Sequence, residues 1–341
     1  IVGVQTSKFN SKIISQVKKI EPELDLKLSE VSAKLNLFNF GVNIETIGTD
    51  LIYRGKVIKI QSIRSNISLM SFLKNNFAIT EISISTKSLE IKDLIIFIRL
   101  FNNDPKLFFA DQLIKQGYVV ADIKLEFDEL GEIKNNYKIN GLVKDGQISL
   151  FKSYNLKKID FFFEVEEKNL RFNNLRLLLN DKKIFIPELT TTKKNDEYLF
   201  SGKINNQSIN LKKNEIKKFT KKKLLGLDIQ EISFNSQHNF RFTIDKKFKF
   251  KNFKTISEIA LENLRFKDPS YLKQIFPKTK NEVSFKNHKI KLEYEKDNFK
   301  IEGKGEILLQ NEIDKIKYKI LKKKNQIQFN TFLNISKNPF V

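Results

Sequence analysis

The sequence predicts a mainly β protein: a long antiparallel meander forming a curved, groove-like elongated sheet, with an N-terminal amphipathic helix and a few short helices. Three observations predict this class. Apolar and polar residues alternate along most of the chain, and short turn motifs separate the alternating segments. A seven-residue segment that alternates in the same way, with a glycine on its apolar side, also occurs three times, at 137–143, 198–204 and 299–305. Because short turns leave no room for crossover helices, a parallel α/β fold is excluded.

The first element of the chain is predicted to be an amphipathic helix. Apolar residues recur at helical spacing between Phe9 and Ile20, and Glu21-Pro22 ends the helix. We expect this helix to pack on the first sheet rather than on a membrane. Strands are expected next at 25–37, 41–47, 51–60, 65–69, 77–84 and 88–91, and the alternation dominates again from Val120 onward.

Short helices and turns interrupt the predicted strands. Denser apolar or basic segments predict helices at 92–101, 111–116, 214–225 and 269–276. Segments with the composition of turns are Lys144–Gly146, Asn180-Asp181, Asn205-Asn206 and Lys296–Asn298. More than a dozen strands therefore follow one another through short connections.

The composition favours a folded chain and excludes several kinds of site. The 341 residues include 31 Phe, 12 Gly and 6 Pro, with 40% hydrophobic residues, which is unlike a disordered chain. Because Cys is absent, disulfides, thiolate catalysis and Cys-type zinc sites are excluded. His238 and His288 are distant in sequence and have polar neighbours, so we expect turn or strand-edge histidines rather than metal ligands. With no catalytic or nucleotide-binding motif, we expect a non-enzymatic protein without a cofactor or metal.

The charge is strongly basic, with a formal net charge of +22. Most lysines are scattered over the polar positions of strands, as on a solvated face. The densest run predicts a helix with one apolar stripe, expected to dock on the sheet as a lid. Its alternative role is contact with anionic head groups, and the candidates are Lys217, Lys218, Lys221, Lys222 and Lys223.

Several segments resemble the AsmA-like family of bacterial envelope proteins. The resemblance begins with the short helix at Phe9–Ile20 and continues in the strands Leu35–Ile44, Ile58–Leu69 and Ile79–Ile84, with a helical turn at Ser71–Leu73. Later segments such as Gly141–Leu150 and Tyr198–Ile204 are similar to the repeating units of the family. The likeness is one of pattern and spans most of the chain.

The resemblance implies a repeating β-groove protein in two parts, an N-terminal AsmA-like region at 1–118 and a β-groove region at 119–341. It implies an anchor in the bacterial inner membrane upstream of Ile1, a periplasm-facing location, and phospholipid transport between membranes or outer-membrane biogenesis. No apolar run in the sequence itself approaches the roughly 18 residues of a membrane span.

Acyl chains of phospholipids are the expected partners of the apolar face of the sheet. Glycines at 141, 202 and 303 are expected to let the sheet curve and to leave room on that face. The candidates for the lipid groove are Tyr137, Ile139, Gly141, Phe161, Phe163, Val165, Phe200, Gly202, Phe240, Phe242, Ile244, Leu292, Phe299, Ile301 and Gly303.

Two other functions remain open from the residues. A structural β-solenoid scaffold or interaction protein would use the same apolar face only as its core. A basic nucleic-acid-binding protein is suggested by the net charge alone, and it is the third choice because the aromatic residues occupy the apolar positions of strands rather than lying beside the lysines.

Overall fold

The chain divides into two compact units, Ile1–Asn180 and Asp181–Val341. The computed structural model describes residues 3–7, 10–11, 14–15, 18, 22–38, 40–53, 55–74, 78–101, 111–132, 134–150, 154–194, 197–219, 228–247, 249–267, 273, 278–324 and 326–335. The boundary predicted at 118/119 falls inside a strand of the first unit, Ile114–Glu126.

The first unit is built from antiparallel strands. Its strands are β1 (Gly3–Thr6), β2 (Leu24–Lys27), β3 (Glu30–Asn36), β4 (Gly41–Ile47), β5 (Asp50–Tyr53), β6 (Lys56–Ser68), β7 (Ile79–Thr86), β8 (Leu89–Glu90), β9 (Ile114–Glu126), β10 (Lys138–Leu150), β11 (Tyr154–Val165) and β12 (Asn169–Leu179). Its helices are α1 (Leu69–Leu73) and α2 (Ile91–Phe101). The strands pair in the order β1, β3, β4, β6, β7, β9, β10, β11, β12. β2 pairs with β5, β5 with β6, and β8 with β9.

The second unit is a continuous antiparallel meander. Its strands are β13 (Lys182–Lys194), β14 (Glu197–Lys212), β15 (Asp228–Asp245), β16 (Phe250–Lys267), β17 (Glu282–Glu295), β18 (Asn298–Leu308), β19 (Ile313–Lys323) and β20 (Gln326–Asn334), with α3 (Lys213–Phe219) between β14 and β15. Each strand from β13 to β19 pairs with the one that follows it. The predicted mainly β, antiparallel meander is confirmed.

Helix α2 covers part of the apolar face of the first unit. Its sequence places Ile91, Leu94 and Ile95 at helical spacing, and Ile95 is only 6% exposed. Ile91 and Leu94 pack against a buried cluster from β6, β8, β9 and β10 that consists of Ile58, Ile60, Leu89, Val119 and Val143. The helix predicted at 92–101 is therefore confirmed, and it closes this part of the apolar face.

Other local predictions differ from the structure. The helix predicted at 111–116 ends after Leu113, because Ile114 begins β9. The helix at 214–225 is helical as far as Phe219, and its remainder lies outside the described residues, as does most of the segment 269–276. In the N-terminal helix the described residues 10, 11, 14, 15 and 18 are helical, and β1 precedes them.

Two predicted turns are in fact irregularities inside long strands. Lys144–Gly146 lies within β10, where Asp145 has φ of 50° and the pairing register shifts on both sides of Gly146. Asn205-Asn206 lies within β14, where the register shifts beyond Asn206. Bulges use the same residue types as turns, because both need left-handed backbone positions. The turn at Lys296 is confirmed, since Lys296 and Asp297 have φ of 47° and 65° between β17 and β18.

The repeated glycines are covered by aromatic rings of neighbouring strands. Gly141 pairs with Phe163 and Gly202 pairs with Phe240. A Cβ added at Gly141 would overlap the Phe163 ring, and one at Gly202 would lie 3.0 Å from Cζ of Phe240. The expectation that these glycines leave open room on the apolar face is therefore wrong: a ring fills the room at Gly141, and a ring and the carbonyl oxygen of Glu188 fill it at Gly202.

Gly303 is the clearest case. It pairs with Tyr318, and all three atoms nearest to a Cβ added there belong to the Tyr318 side chain.

We predict that Gly303→Ala lowers the free energy of unfolding by about 1–3 kcal/mol, because the methyl group displaces the Tyr318 ring. In a Tyr318→Ala background the same change should be neutral or stabilising, because alanine restricts the unfolded chain more than glycine does. Urea denaturation of the four proteins measures the coupling, and an equal cost in both backgrounds would contradict the ring-on-glycine contact.

Candidate functional site

The predicted groove residues lie on a common face within each unit. In the first unit, Ile139 pairs with Val165 and Val143 with Phe161, on the same side as Gly141. Tyr137 comes just before β10 and is half-buried. Because cross-strand partners share a face of the sheet, these residues form one apolar surface.

In the second unit the register continues the same apolar face across the meander. Phe200 pairs with Phe242, Leu292 with Ile301, and Phe299 with Tyr294. Most of these side chains are half-buried. Further apolar residues on this face are Phe234, Leu261, Leu264, Phe285, Ile290, Ile307, Ile316, Ile320 and Phe329.

An aromatic row runs across four strands at one end of this face. Phe200 stacks on Phe242 with ring centroids 4.9 Å apart and an interplanar angle of 8°. Phe242 lies 4.7 Å from Phe250, Phe250 lies 5.6 Å from Phe253, and Phe253 lies 5.7 Å from Tyr294. Phe250 is 57% exposed. We call Phe200, Phe242, Phe250, Phe253 and Tyr294 the aromatic row.

Sequence reasoning did not include Phe250, Phe253 or Tyr294 among the site residues. Phe250 and Phe253 are three positions apart, so simple alternation places them on opposite faces. Asn252 lies between them with φ of 53°, and the register between β15 and β16 shifts beside it. This bulge brings both rings to the apolar face, and an asparagine inside an aromatic strand is the feature of the sequence that indicates it.

The opposite end of the apolar face is a closed core. Phe266, Val283, Ile307 and Leu309 are each at most 5% exposed and form one cluster. This end therefore packs on itself, whereas the aromatic row keeps exposed ring surface. The face consists of a packed part and an accessible part.

His288 lies in the middle of the apolar face and is 1% exposed. Its ring stacks on Phe285 with centroids 4.9 Å apart, and a Cβ added at Gly305 would overlap it. Nε2 donates a hydrogen bond to the carbonyl oxygen of Glu306 at 2.9 Å, so the proton of the neutral ring is on Nε2. Nδ1 then accepts from the hydroxyl of Tyr318 at 3.3 Å. Burial raises the pKa of Tyr318 to about 12, which keeps that hydroxyl protonated.

His238 is also in a strand interior. Its two ring nitrogens lie 2.7 Å from Oγ of Ser257 and 2.8 Å from Oγ of Ser236, and both serines are buried. The expectation of turn or strand-edge histidines is therefore wrong for both. Burial lowers the pKa of His238 and that of His288, and the Glu306 carbonyl opposes the effect at His288. Both side chains are hydrogen-bonded parts of the sheet.

The basic helix docks on the sheet at its beginning. Ile216 of α3 is buried, Lys213 is 2.9 Å from the Asp228 carboxylate, and Lys182 is 2.7 Å from that of Glu215. Lys217 is exposed. The other predicted head-group lysines have side chains outside the described residues, namely Lys218, Lys221, Lys222 and Lys223.

A large cavity lies on the other face of the second unit, and its volume is about 1170 Å³. Three consecutive residues of each strand from β15 to β20 line it, for example Lys289, Ile290 and Lys291. The next residues on the apolar side, His288 and Leu292, do not line it. A groove on one face of a sheet is bordered by alternate side chains and by the backbone between them, so this cavity lies on the polar face. Of the predicted groove residues, only Gly303 borders it.

Searches against protein-family models, curated proteins and solved structures return no match for this chain. Among the described residues, no three His, Asp or Glu side chains form a group that could hold a metal ion. No helix in the described part of the chain combines the length and apolar character needed to cross a membrane.

The two histidines give the protein a specific pH dependence. Because burial depresses their pKa values in the folded state, the unfolded chain binds more protons below the ordinary histidine pKa of about 6.5. We predict that the free energy of unfolding falls as the pH is lowered from about 7 to about 5. Urea denaturation at pH 7, 6 and 5 measures the decrease.

The matched variants are His288→Gln, His238→Gln and the double variant. Each single change should remove part of the pH dependence in that range and the double change most of it, whatever its effect on stability at pH 7. A double variant with the slope of the original protein would contradict the assignment.

Proposed function

We propose that this chain is a non-enzymatic envelope protein of the AsmA-like kind that carries phospholipid between membranes. The acyl chains would lie on the apolar face of the second unit, along the aromatic row. The observation that carries the proposal is the partly exposed aromatic row, which lies at one end of the apolar face of the second unit.

The dimensions of the aromatic row suit an acyl chain. The row crosses β14, β15, β16 and β17, and neighbouring strands lie about 4.8 Å apart, so its length is about 14 Å. The hydrocarbon core of a bilayer is about 30 Å thick, so one leaflet contributes about 15 Å. Each CH₂ group that leaves water on such a surface contributes about 0.8 kcal/mol.

The second unit also leaves this face accessible. All its described strands belong to one meander, so no separate sheet of the unit is available to pack on the aromatic row. Its helix α3 contacts β14 and β15 near Leu211 and Asp228, at the far end of both strands from Phe200 and Phe242. In the first unit, by contrast, α2 covers the part of the apolar face that β6, β8 and β9 form.

A structural scaffold is the second candidate function, and the closed core around Val283 favours it. There the centre of the apolar face is a packed interior whose four core residues are at most 5% exposed. The two candidates therefore make different claims about the aromatic row: a binding surface in one case, and the less well packed part of a core in the other.

Phe242→Asp tests the lipid proposal. We predict that it lowers the affinity for a fluorescent phosphatidylcholine by roughly tenfold or more, because a carboxylate would have to be desolvated against the acyl chain. It should equally slow transfer of that lipid between donor and acceptor vesicles, while circular dichroism stays that of a folded sheet.

The matched control is Ile256→Asp. Ile256 is 39% exposed and pairs with Asn239 and Glu293 on the polar face. Lipid binding should be unchanged in this control. Unfolding of the Phe242→Asp protein would favour the scaffold, and unchanged lipid transfer in that variant would overturn the groove.

A further inference from the structure

We propose that the polar face of the second unit binds a compact polyphosphate group along Lys289, Lys304 and Lys317. These three residues are called the lysine row. They line the cavity on the side of the sheet opposite the aromatic row. The site is therefore independent of the lipid proposal.

The lysine row is a line of like charges on adjacent strands. Lys289 pairs with Lys304, and Lys304 pairs with Lys317. With strands about 4.8 Å apart, the line is about 10 Å long. Like charges directly opposite each other destabilise a sheet. Within the described residues none of the three forms an ion pair, and all are exposed.

The neighbouring rows of the same face each contain a carboxylate between two lysines. Lys291, Glu302 and Lys319 are cross-strand partners that alternate in charge, and Lys319 is 3.4 Å from the carboxylate of Glu302. The row on the other side alternates in the same way and consists of Lys286, Glu306 and Lys315. Only the row between them lacks a carboxylate. Its charge is not arranged for stability of the free protein, and an anion in the cavity would compensate it.

The cavity and its ends indicate the size and kind of anion. A volume of about 1170 Å³ is somewhat larger than the roughly 300–1,000 Å³ of most small-molecule sites, so a compact polyphosphate fits with room to spare. Phe332 is the cross-strand partner of Lys317, lines the cavity and is 68% exposed. An exposed ring next to lysines can stack on a nucleobase. The polyphosphate can therefore come from inorganic tripolyphosphate or from a nucleoside triphosphate, which would add a contact to Phe332.

Isothermal titration calorimetry of the whole chain with tripolyphosphate and with ATP, at low salt, tests the site. We predict that Lys304→Gln weakens binding of either anion about fivefold or more. This is the change in affinity expected from losing the attraction between two unit charges in contact in water. Lys286→Gln removes the same net charge from a row that contains a carboxylate, and Lys286 does not line the cavity, so this change should leave binding nearly unchanged.

Thermal unfolding of the free proteins gives a second, independent readout. Lys304→Gln should raise the melting temperature because it relieves repulsion, whereas Lys286→Gln should lower it or leave it unchanged, since Lys286 pairs with Glu306. Equal weakening of anion binding in both variants, or no binding by the original protein, would overturn the proposal in favour of a diffuse effect of the net charge of +22.

Phe332→Ala distinguishes the two sources of the polyphosphate. If the original protein binds ATP more tightly than tripolyphosphate and Phe332→Ala removes that difference, the site is assigned to a nucleotide. Equal affinities that the variant does not change assign it to the phosphate chain alone, and both results support the lysine row. Lipid transfer should be unaffected in all these variants, so this site and the lipid proposal can fail separately.

Discussion

The cross-strand register is the constraint on which the rest of the structure depends. In an antiparallel meander, a slip by one residue exchanges the two faces of a strand. The register keeps Phe200 beside Phe242 on one face and Lys289 beside Lys304 on the other. The rings that cover Gly141, Gly202 and Gly303 fit only one register, because a side chain in place of glycine would collide with them. Apolar face, aromatic row and lysine row are therefore consequences of the same pairing.

The two faces of the second unit have different chemistry because their neighbours across the sheet differ. On the apolar face, the hydrogen bonds of His288 to Glu306 and Tyr318 satisfy a polar group that is otherwise surrounded by rings. On the polar face of β17 to β19, the rows on either side of the lysine row place a glutamate between two lysines, and the lysine row has no glutamate. Each proposal concerns a place where side chains of the sheet are not fully satisfied by their neighbours. For the lipid proposal this is the exposed ring surface of the aromatic row, and for the polyphosphate proposal it is the unpaired charge of the lysine row.

The fold class follows from the sequence because alternation and short connections are local properties. The face of most residues was also predictable, as Phe161, Phe240 and Ile301 illustrate. Bulges were not, because Asp145 and Asn206 have the composition of turns although the strands continue through them. The aromatic row was predicted only in part, since Asn252 shifts the phase of alternation in β16. The lysine row depends on pairing between three strands, and composition alone gives no register.

The contact between glycine and ring also restricts how this sequence can evolve. At Gly303 a side chain is acceptable only if Tyr318 becomes small, and a small residue at 318 leaves exposed backbone unless position 303 gains volume. Each single step passes through a less stable protein. The two positions are therefore inherited as a unit, and relatives of this chain should differ at both or at neither.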